Sequence, residues 1–103
     1  MPAPISVIVP TLNAAPGLTA CFGALMEAVD AGLIAELIVT DGGSTDETLT
    51  LADAWGAEIV QGAPSRGGQL RRGCDQAKGA WLLVLHADTV LSPGWTNAVV
   101  DHL

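Results

Sequence analysis

The sequence predicts an α/β protein in which a central, mainly parallel sheet lies between two layers of helices. Short apolar segments typical of strands alternate with segments whose apolar residues recur at helical spacing, and this alternation indicates repeated βαβ units. Crossover helices cover both faces of such a sheet, which gives three layers, α/β/α. With 103 residues the chain is long enough to bury a core, and we expect a single domain, 1–103.

The first strand and the first helix are predicted from an apolar run followed by a helical apolar face. Residues 5–9, ISVIV, form the strand. A helix is expected from near Pro16 to around Gly32, because proline is favoured in the first turn and glycine just past the end. The apolar face of this helix carries Leu18, Phe22, Leu25, Met26 and Val29.

The second strand, residues 37–40, is followed by a helix-start signal. Ser44 and Glu47 have the S-x-x-E spacing of a capping box, which predicts a helix beginning there. Gly56 is the expected end of that helix. Residues 57–61 form the predicted third strand.

The remaining elements follow a turn-rich segment. Residues 62–68, GAPSRGG, are predicted to form a loop, and a helix is expected over residues 70–79, ending at its final glycine. Residues 81–85 form the fourth strand. Ser92 and Pro93 predict a last helix, with the serine as its cap and the proline at its first position. The chain stops within that helix, which suggests a fragment.

Charge is distributed unevenly along the chain. The formal net charge is −7, yet all 4 basic residues lie between Arg66 and Lys78. The acidic remainder argues against non-specific binding to nucleic acid or to an anionic membrane, which needs a broad positive face. The basic segment either binds one localised anion, such as a diphosphate, or forms a solvent-exposed helix face.

Two further features bear on location and on metal chemistry. No apolar run approaches the roughly 20 residues that span a bilayer, and residues 1–4 leave no room for a signal peptide before the first strand. We therefore expect a cytoplasmic protein, with attachment to the inner membrane face as the alternative. Cys21 and Cys74 have no CxxC spacing and are expected to be small buried hydrophobic residues.

Polar residues follow three of the predicted strands at the point where each strand ends. Thr11 and Asn13 follow the first strand, Asp41 follows the second and Asp88 follows the fourth. In an open parallel sheet the carboxyl ends of the strands share one edge, and ligands bind in the crevice there. We therefore expect both carboxylates to face a common crevice.

Asp88 is the candidate metal ligand. Hard cations such as Mg²⁺ take one or two protein carboxylates and complete their shell with water and substrate phosphates, so one aspartate is enough where a diphosphate binds. His86 would add an imidazole that suits Mn²⁺ better than Mg²⁺; a hydrogen-bonded, partly buried histidine is the simpler interpretation. A loop cap is the alternative for Asp88.

The other candidates each have a structural alternative. Asp41 precedes two glycines and a helix start, where it either meets a ligand or caps a tight turn. Thr11 and Asn13 either hydrogen-bond a base or ribose or close the turn. Arg66, on the predicted loop, is the basic residue best placed to reach the crevice. The sequence contains no GxGxxG after the first strand and no P-loop, which argues against a dehydrogenase and a P-loop NTPase.

Three motifs resemble, in this order, those of family 2 glycosyltransferases, which have the Rossmann-like α/β/α architecture called GT-A. They are residues 7–13, VIVPTLN, residues 37–46, LIVTDGGSTD, and residues 83–89, LVLHADT. Residues 66–71, RGGQLR, resemble one subset of that family. The resemblance covers essentially the whole chain and implies that it is the N-terminal, nucleotide-sugar-binding half of such an enzyme.

The resemblance implies a donor site along the strand ends. Asp41 would lie near the base, and His86-Ala87-Asp88 takes the place of the family's DxD motif. The implied donor-binding residues are Pro10, Thr11, Asn13, Asp41, Gly42, Arg66, Gln69, His86, Ala87 and Asp88.

The resemblance also implies a mechanism. A divalent metal, Mn²⁺ or Mg²⁺, on Asp88 and with His86 as a further ligand, would neutralise charge on the leaving diphosphate. The sugar would pass with inversion to an unknown sugar, lipid or small-molecule acceptor that a carboxylate base deprotonates. That base is expected beyond Leu103, so the isolated chain is expected to be inactive. Two residues depart from the family pattern: Gly42 stands where a second aspartate often contacts uracil, and His86 replaces the first aspartate of DxD.

Two alternative functions remain open. A non-catalytic nucleotide-binding module would complete its sheet edge by pairing with a second copy, since an exposed edge strand is a template for pairing. A phospho-acceptor receiver domain would use Asp41 as the acceptor, although the acidic cluster of that chemistry is not evident in the sequence.

Overall fold

The chain forms four parallel strands and four helices in strict alternation, in a computed structural model that describes residues 3–102. The elements are β1 (Ile5–Thr11), α1 (Ala15–Asp30), β2 (Ile34–Asp41), α2 (Thr48–Ala54), β3 (Glu58–Gln61), α3 (Arg66–Gln76), β4 (Trp81–Val84) and α4 (Trp95–His102). The strand order is β3-β2-β1-β4. The predicted α/β class and parallel sheet are confirmed. Met1, Pro2 and Leu103, on which the expectations about the chain ends rest, lie outside the described residues.

Alternate residues of β1 pack on opposite faces of the sheet. Val7 lies in the core under α1 and α2, where the rings of Phe22 and Trp55 meet edge to face with centroids 5.9 Å apart. Ile8 lies on the other face, against Gly73 of α3. The predicted three layers are therefore present. Within residues 3–102, no helix combines the length and the apolar character that crossing a membrane requires.

The starts of α2 and α3 differ from the predicted starts. Ser44 does not cap α2, because its hydroxyl donates to Asp41 instead, at 2.6 Å; the helix begins at Thr48. In α3, Ser65 is the N-cap, and its hydroxyl accepts from the backbone N–H of Gly68 at 3.3 Å. The second half of the predicted loop is consequently helical, and the helix ends before the predicted glycine.

The last helix, α4, begins at Trp95 and not at Pro93. Gly94 precedes it with φ of +85°, in the left-handed region that favours glycine. Its first turn is capped from α1, where the Glu27 carboxylate accepts from the backbone N–H groups of Gly94 at 2.8 Å and Thr96 at 3.0 Å. Hydrogen bonds from Thr96 and Gly94 hold the pKa of Glu27 below its usual value. The cap therefore comes from a different helix, which the local sequence does not reveal.

α3 packs closely against the sheet at Gly73. A Cβ there would lie 2.6 Å from Cγ2 of Ile8 and 3.3 Å from Cγ2 of Thr40, both fully buried residues. We expect Gly73→Ala to lower the free energy of unfolding by about 1–2 kcal/mol, because overpacking outweighs the better helix propensity of alanine. Gly67→Ala is the matched control, since a Cβ at Gly67 meets nothing within 4 Å. Urea titration of both variants checks this, and equal effects would contradict the packing argument.

Candidate functional site

A crevice opens between β1 and β4 at the carboxyl end of the sheet. β2 and β3 lie on one side of β1 and β4 lies on the other, so the strand order reverses here, and parallel sheets bind ligands at such switch points. The two strands pair as far as Ile8, whose carbonyl accepts from the N–H of Leu85 at 3.0 Å. Pro10 is the next residue whose backbone faces β4, and it has no N–H to donate. The ladder therefore stops and the strands separate.

Three adjoining cavities of about 360, 240 and 200 Å³ occupy this crevice. Pro10 and His86 line all three, and Arg66 lines the two smaller ones. The predicted donor-binding residues that line them are Pro10, Thr11, Asn13, Arg66, Gln69, His86, Ala87 and Asp88. Asp41 and Gly42 line none of these three cavities. The structure thus brings most of the predicted set together around one space.

Asp88 lies at the rim of the largest cavity with its side chain exposed. α1 comes close to it because residue 17 is glycine: a Cβ on Gly17 would lie 3.1 Å from Cα of Asp88. The first turn of α1 therefore faces Asp88, and a helix N-terminus favours negative charge. Among the described residues, nothing forms a hydrogen bond with the Asp88 carboxylate, so its oxygens are available to a ligand. The loop-cap alternative for Asp88 has no hydrogen bond to support it.

His86 is exposed above a buried cysteine. The sulfur of Cys21 lies 3.7 Å from the His86 carbonyl oxygen. Burial, and then the charge of Asp88, raise the pKa of the Cys21 thiol to about 11, which keeps it neutral at physiological pH and poorly suited to metal binding or nucleophilic attack. Cys21 is buried as predicted, whereas Cys74 is only half-buried.

The residues at this crevice can hold a metal only if a bound ligand supplies the rest of its coordination shell. In the part of the chain that the structure describes, no group of three or more His, Cys, Asp and Glu side chains is placed to hold an ion. Asp88 offers one exposed carboxylate, and His86 offers one imidazole from the same loop. Mg²⁺ accepts so few protein ligands when phosphate oxygens and water complete its shell. The donor set therefore fits a metal that arrives with, or is completed by, a diphosphate.

Asp41 is buried behind the crevice wall, and hydrogen bonds engage its carboxylate. The residue is 0% exposed and accepts from the hydroxyls of Thr11 and Ser44, each at 2.6 Å, and from the N–H groups of Gly43 and Ser44 at 2.9 and 2.8 Å. Burial raises the pKa of this carboxyl, but the hydrogen bonds outweigh burial and lower it below its usual value. This corrects the expectation that both aspartates face the crevice. The buried carboxylate is also inaccessible as a phospho-acceptor.

Asn13 joins the loop after β1 to the loop after β2. Its φ of +50° is tolerated by asparagine better than by most residues. Its Oδ1 accepts from the N–H of Thr45 at 2.7 Å, and its own N–H donates to the hydroxyl of Ser44 at 2.9 Å. The turn-closing alternative for Asn13 is therefore present in the structure. Because Asn13 also borders the largest cavity, contact with a ligand stays a prediction.

Gln69 is an interior residue that connects three elements. It is 6% exposed, and its Nε2 donates to the carbonyl oxygens of Thr11 and Thr40, both at 2.9 Å, while its Oε1 accepts from the N–H of Ser65 at 3.1 Å. Gly42 packs directly against it, since a Cβ on Gly42 would lie 2.9 Å from that Oε1. The sequence did not indicate this structural role, because Thr11 and Gln69 are 58 positions apart. The only local signal is a polar residue on the sheet-facing side of α3.

Arg66 is the first residue of α3 and not part of a loop. Its exposed side chain faces the cavities that Pro10 and His86 also line. Arg71 is exposed and lines none of the three cavities, whereas Arg72 donates to the carbonyl of Ala63 at 2.9 Å. Arg66 is therefore the basic residue that lies beside the crevice, and its contact with an anion stays a prediction.

This fold and crevice define a class: a parallel α/β protein with a crevice at the switch point of its sheet, which is where ligands bind in such sheets. The sequence matches Glycosyl transferase family 2 over residues 6–103. The chain belongs to this family, as the motifs predicted.

Similar proteins come from mycobacteria. The PGL/p-HBAD biosynthesis glycosyltransferase of Mycobacterium tuberculosis is 39% identical over 108 residues, which cover 97% of this chain and 41% of that protein. Glucosyl-3-phosphoglycerate synthase from the same organism, in complex with Mn²⁺, UDP and glucosyl-3-phosphoglycerate, superposes with a TM-score of 0.73 and 32% identity over 82% of this chain and 33% of that one. Its complex with Mg²⁺ and UDP gives a TM-score of 0.75 at 32% identity, over 85% and 34%. The chain thus spans about two fifths of the length of the curated relatives it matches.

Proposed function

We propose that the protein transfers a sugar from a nucleotide-sugar donor to an acceptor hydroxyl, and that this chain supplies the donor-binding part of the site. One observation carries the proposal: an exposed carboxylate, imidazole and guanidinium, from Asp88, His86 and Arg66, surround one crevice at the switch point of the sheet. Cationic groups and a carboxylate-bound metal both stabilise a bound diphosphate, and this crevice offers a cationic group and an exposed carboxylate.

Each of these residues has a chemical task in the proposal. Arg66 provides a permanent positive charge and a planar set of donors for diphosphate oxygens. Asp88, with His86 beside it, would hold a divalent metal, which when bound lowers the charge on the diphosphate as it leaves. Pro10 and Leu12 line the smallest of the three cavities and would offer apolar contacts to the nucleoside. The glucosyl-3-phosphoglycerate synthase complexes with UDP and with Mn²⁺ or Mg²⁺ support this assignment of donor and metal.

The remaining parts of the reaction are further proposals. Transfer with inversion needs a carboxylate base opposite the leaving diphosphate, and we place that base outside this chain. The acceptor is a sugar, lipid or small molecule that bears a hydroxyl group. A cytoplasmic location and a homodimer stay predictions from the sequence.

Calorimetry with nucleoside diphosphates tests donor binding directly. UDP, CDP, GDP and ADP are titrated with and without Mn²⁺ or Mg²⁺, and we expect at least one to bind, more tightly with metal. The proposal fails if none binds under either condition.

Arg66→Ala is expected to weaken that binding by about tenfold or more, because a charge-assisted hydrogen bond contributes about 1.5–3 kcal/mol. Arg71→Ala removes the same side chain from the same helix outside the three cavities and is expected to leave the affinity unchanged. Equal losses in both variants would mean that general charge, and not contact at the crevice, attracts the nucleotide.

The non-catalytic module has one observation in its favour. β4 pairs with β1 along one edge, and within the described residues no strand pairs with its other edge. Leu82 and Val84 of this strand are 49% and 47% exposed. Sedimentation velocity together with the nucleotide titration separates the two functions. A stable dimer that binds nucleotide would favour the module, whereas a monomer that binds nucleotide would favour the donor-binding part of a glycosyltransferase.

A further inference from the structure

We propose that Gln69 is a specificity-determining residue, whose side chain closes the crevice above Gly42 and thereby limits the size of the nucleobase that the site admits. This inference rests on the proposed donor binding. It concerns which nucleotides bind, and not whether one binds.

Position 42 is occupied by glycine because there is no room for a side chain, and not because its backbone conformation requires glycine. Gly42 is buried and its φ is not positive, unlike that of Gly43 at +105°. A Cβ on Gly42 would lie 2.9 Å from Oε1 and 3.1 Å from Cδ of Gln69, and 3.0 Å from Cα of Pro64. The Gln69 amide therefore occupies the volume that a side chain at position 42 would take. Positions 42 and 69 pack directly against each other, so the size of the side chain at one limits the size of the side chain at the other.

The same amide removes hydrogen-bonding capacity from this end of the crevice. Both N–H groups of Nε2 are used by the carbonyls of Thr11 and Thr40, and Oε1 accepts from Ser65. The nearby carboxylate of Asp41 is buried and engaged by its own loop. A nucleobase that contacts Gln69 therefore has few free hydrogen-bonding groups beside it. Selection here consequently depends on shape.

Gln69 is placed to impose that shape. It lines the cavity of about 200 Å³ together with Pro10, Leu12, Arg66 and His86. The residue is 6% exposed and its amide makes three hydrogen bonds, so the amide cannot rotate away without breaking them. A shorter side chain at position 69 would extend this cavity towards Gly42. A purine needs more room than a pyrimidine, so the extension favours purine nucleotides.

Three substitutions separate volume from hydrogen bonding. Gln69→Met keeps the length without the amide, Gln69→Asn keeps the amide but is shorter by one methylene, and Gln69→Ala removes both. Dissociation constants of UDP, CDP, GDP and ADP are measured by calorimetry for each variant and for the unaltered protein. We expect Gln69→Asn and Gln69→Ala to shift the purine-to-pyrimidine affinity ratio by about tenfold towards purines, as changes of one or two methylenes in a pocket do. Gln69→Met should keep the ratio within about twofold.

The outcomes distinguish failure of this inference from failure of the proposed function. If the unaltered protein binds no nucleotide, the proposed function fails. If it binds and every variant weakens all four nucleotides by the same factor, Gln69 is purely structural and the inference is overturned. A ratio shift in Gln69→Met equal to that in Gln69→Asn also overturns it, because volume would then not matter. Should Gln69→Ala fail to fold, the Asn and Met pair still decides.

Discussion

Replacing Asp88 with alanine is expected to abolish the strengthening of nucleoside-diphosphate binding by Mn²⁺ or Mg²⁺. It is also expected to slow sugar transfer by about a hundredfold to a thousandfold. The reason is that Asp88 is the exposed carboxylate at the crevice, and a metal supplies several kcal/mol of charge stabilisation, of which each ~1.4 kcal/mol is tenfold in rate. Calorimetry with and without metal on this chain measures the first effect. A transfer assay on a longer protein that carries this chain together with the catalytic base measures the second.

Two variants control this experiment. Asp88→Asn keeps the shape of the side chain and loses the charge, so it should behave like Asp88→Ala. Asp75→Ala removes an exposed carboxylate from α3 outside the three cavities and should leave the metal effect intact. Because Asp88 makes no hydrogen bond with the described residues, its replacement should change the free energy of unfolding by less than about 0.5 kcal/mol. Metal enhancement that persists in Asp88→Ala contradicts the assignment.

Replacing Asp41 with alanine is expected to lower the free energy of unfolding by about 3–5 kcal/mol, whereas replacing Asp88 should hardly change it. The carboxylate accepts from two hydroxyls and two backbone N–H groups, and removing it leaves the buried hydroxyl of Thr11 and the partly buried donors of Gly43 and Ser44 without this partner. Urea denaturation measures the loss. Asp53→Ala, at an exposed position of α2, is the control and should change stability little. A small effect in Asp41→Ala would show that water replaces the carboxylate at little cost.

The pH dependence of stability provides a second measurement on Asp41. Its pKa in the folded protein lies below the ordinary value of 3.8, so its contribution to stability is complete above that value and is lost as the pH falls through the lower, folded pKa. The difference in free energy of unfolding between the unaltered protein and Asp41→Asn should be constant above about pH 5 and shrink in more acidic solution. A difference that grows on acidification would contradict the lowered pKa.

The contrast between Asp41 and Asp88 shows what polar residues after apolar runs predict and what they do not. The position of a polar residue after an apolar run predicted that both would lie at the carboxyl edge of the sheet, and both do. The pattern could not predict which carboxylate is exposed, because Asp41 is enclosed by Thr11, which is distant along the chain, and by its own loop. Local spacing likewise suggested a capping box at Ser44, yet the Ser44 hydroxyl donates its hydrogen bond to Asp41 and does not cap the helix.

The sequence by itself determined the class of fold, the order of the elements and most of the residues that line the crevice. Short apolar runs that alternate with helical segments are typical of a parallel sheet covered on both faces, and such a sheet brings its strand ends together. Only the tertiary structure decided which side chains are available to a ligand. Gln69 and Glu27 satisfy backbone groups on other elements, at Thr11 and Gly94, and these contacts join positions 58 and 67 apart. Hydrogen bonds of that kind depend on where the elements pack, and this information is absent from any local stretch of sequence.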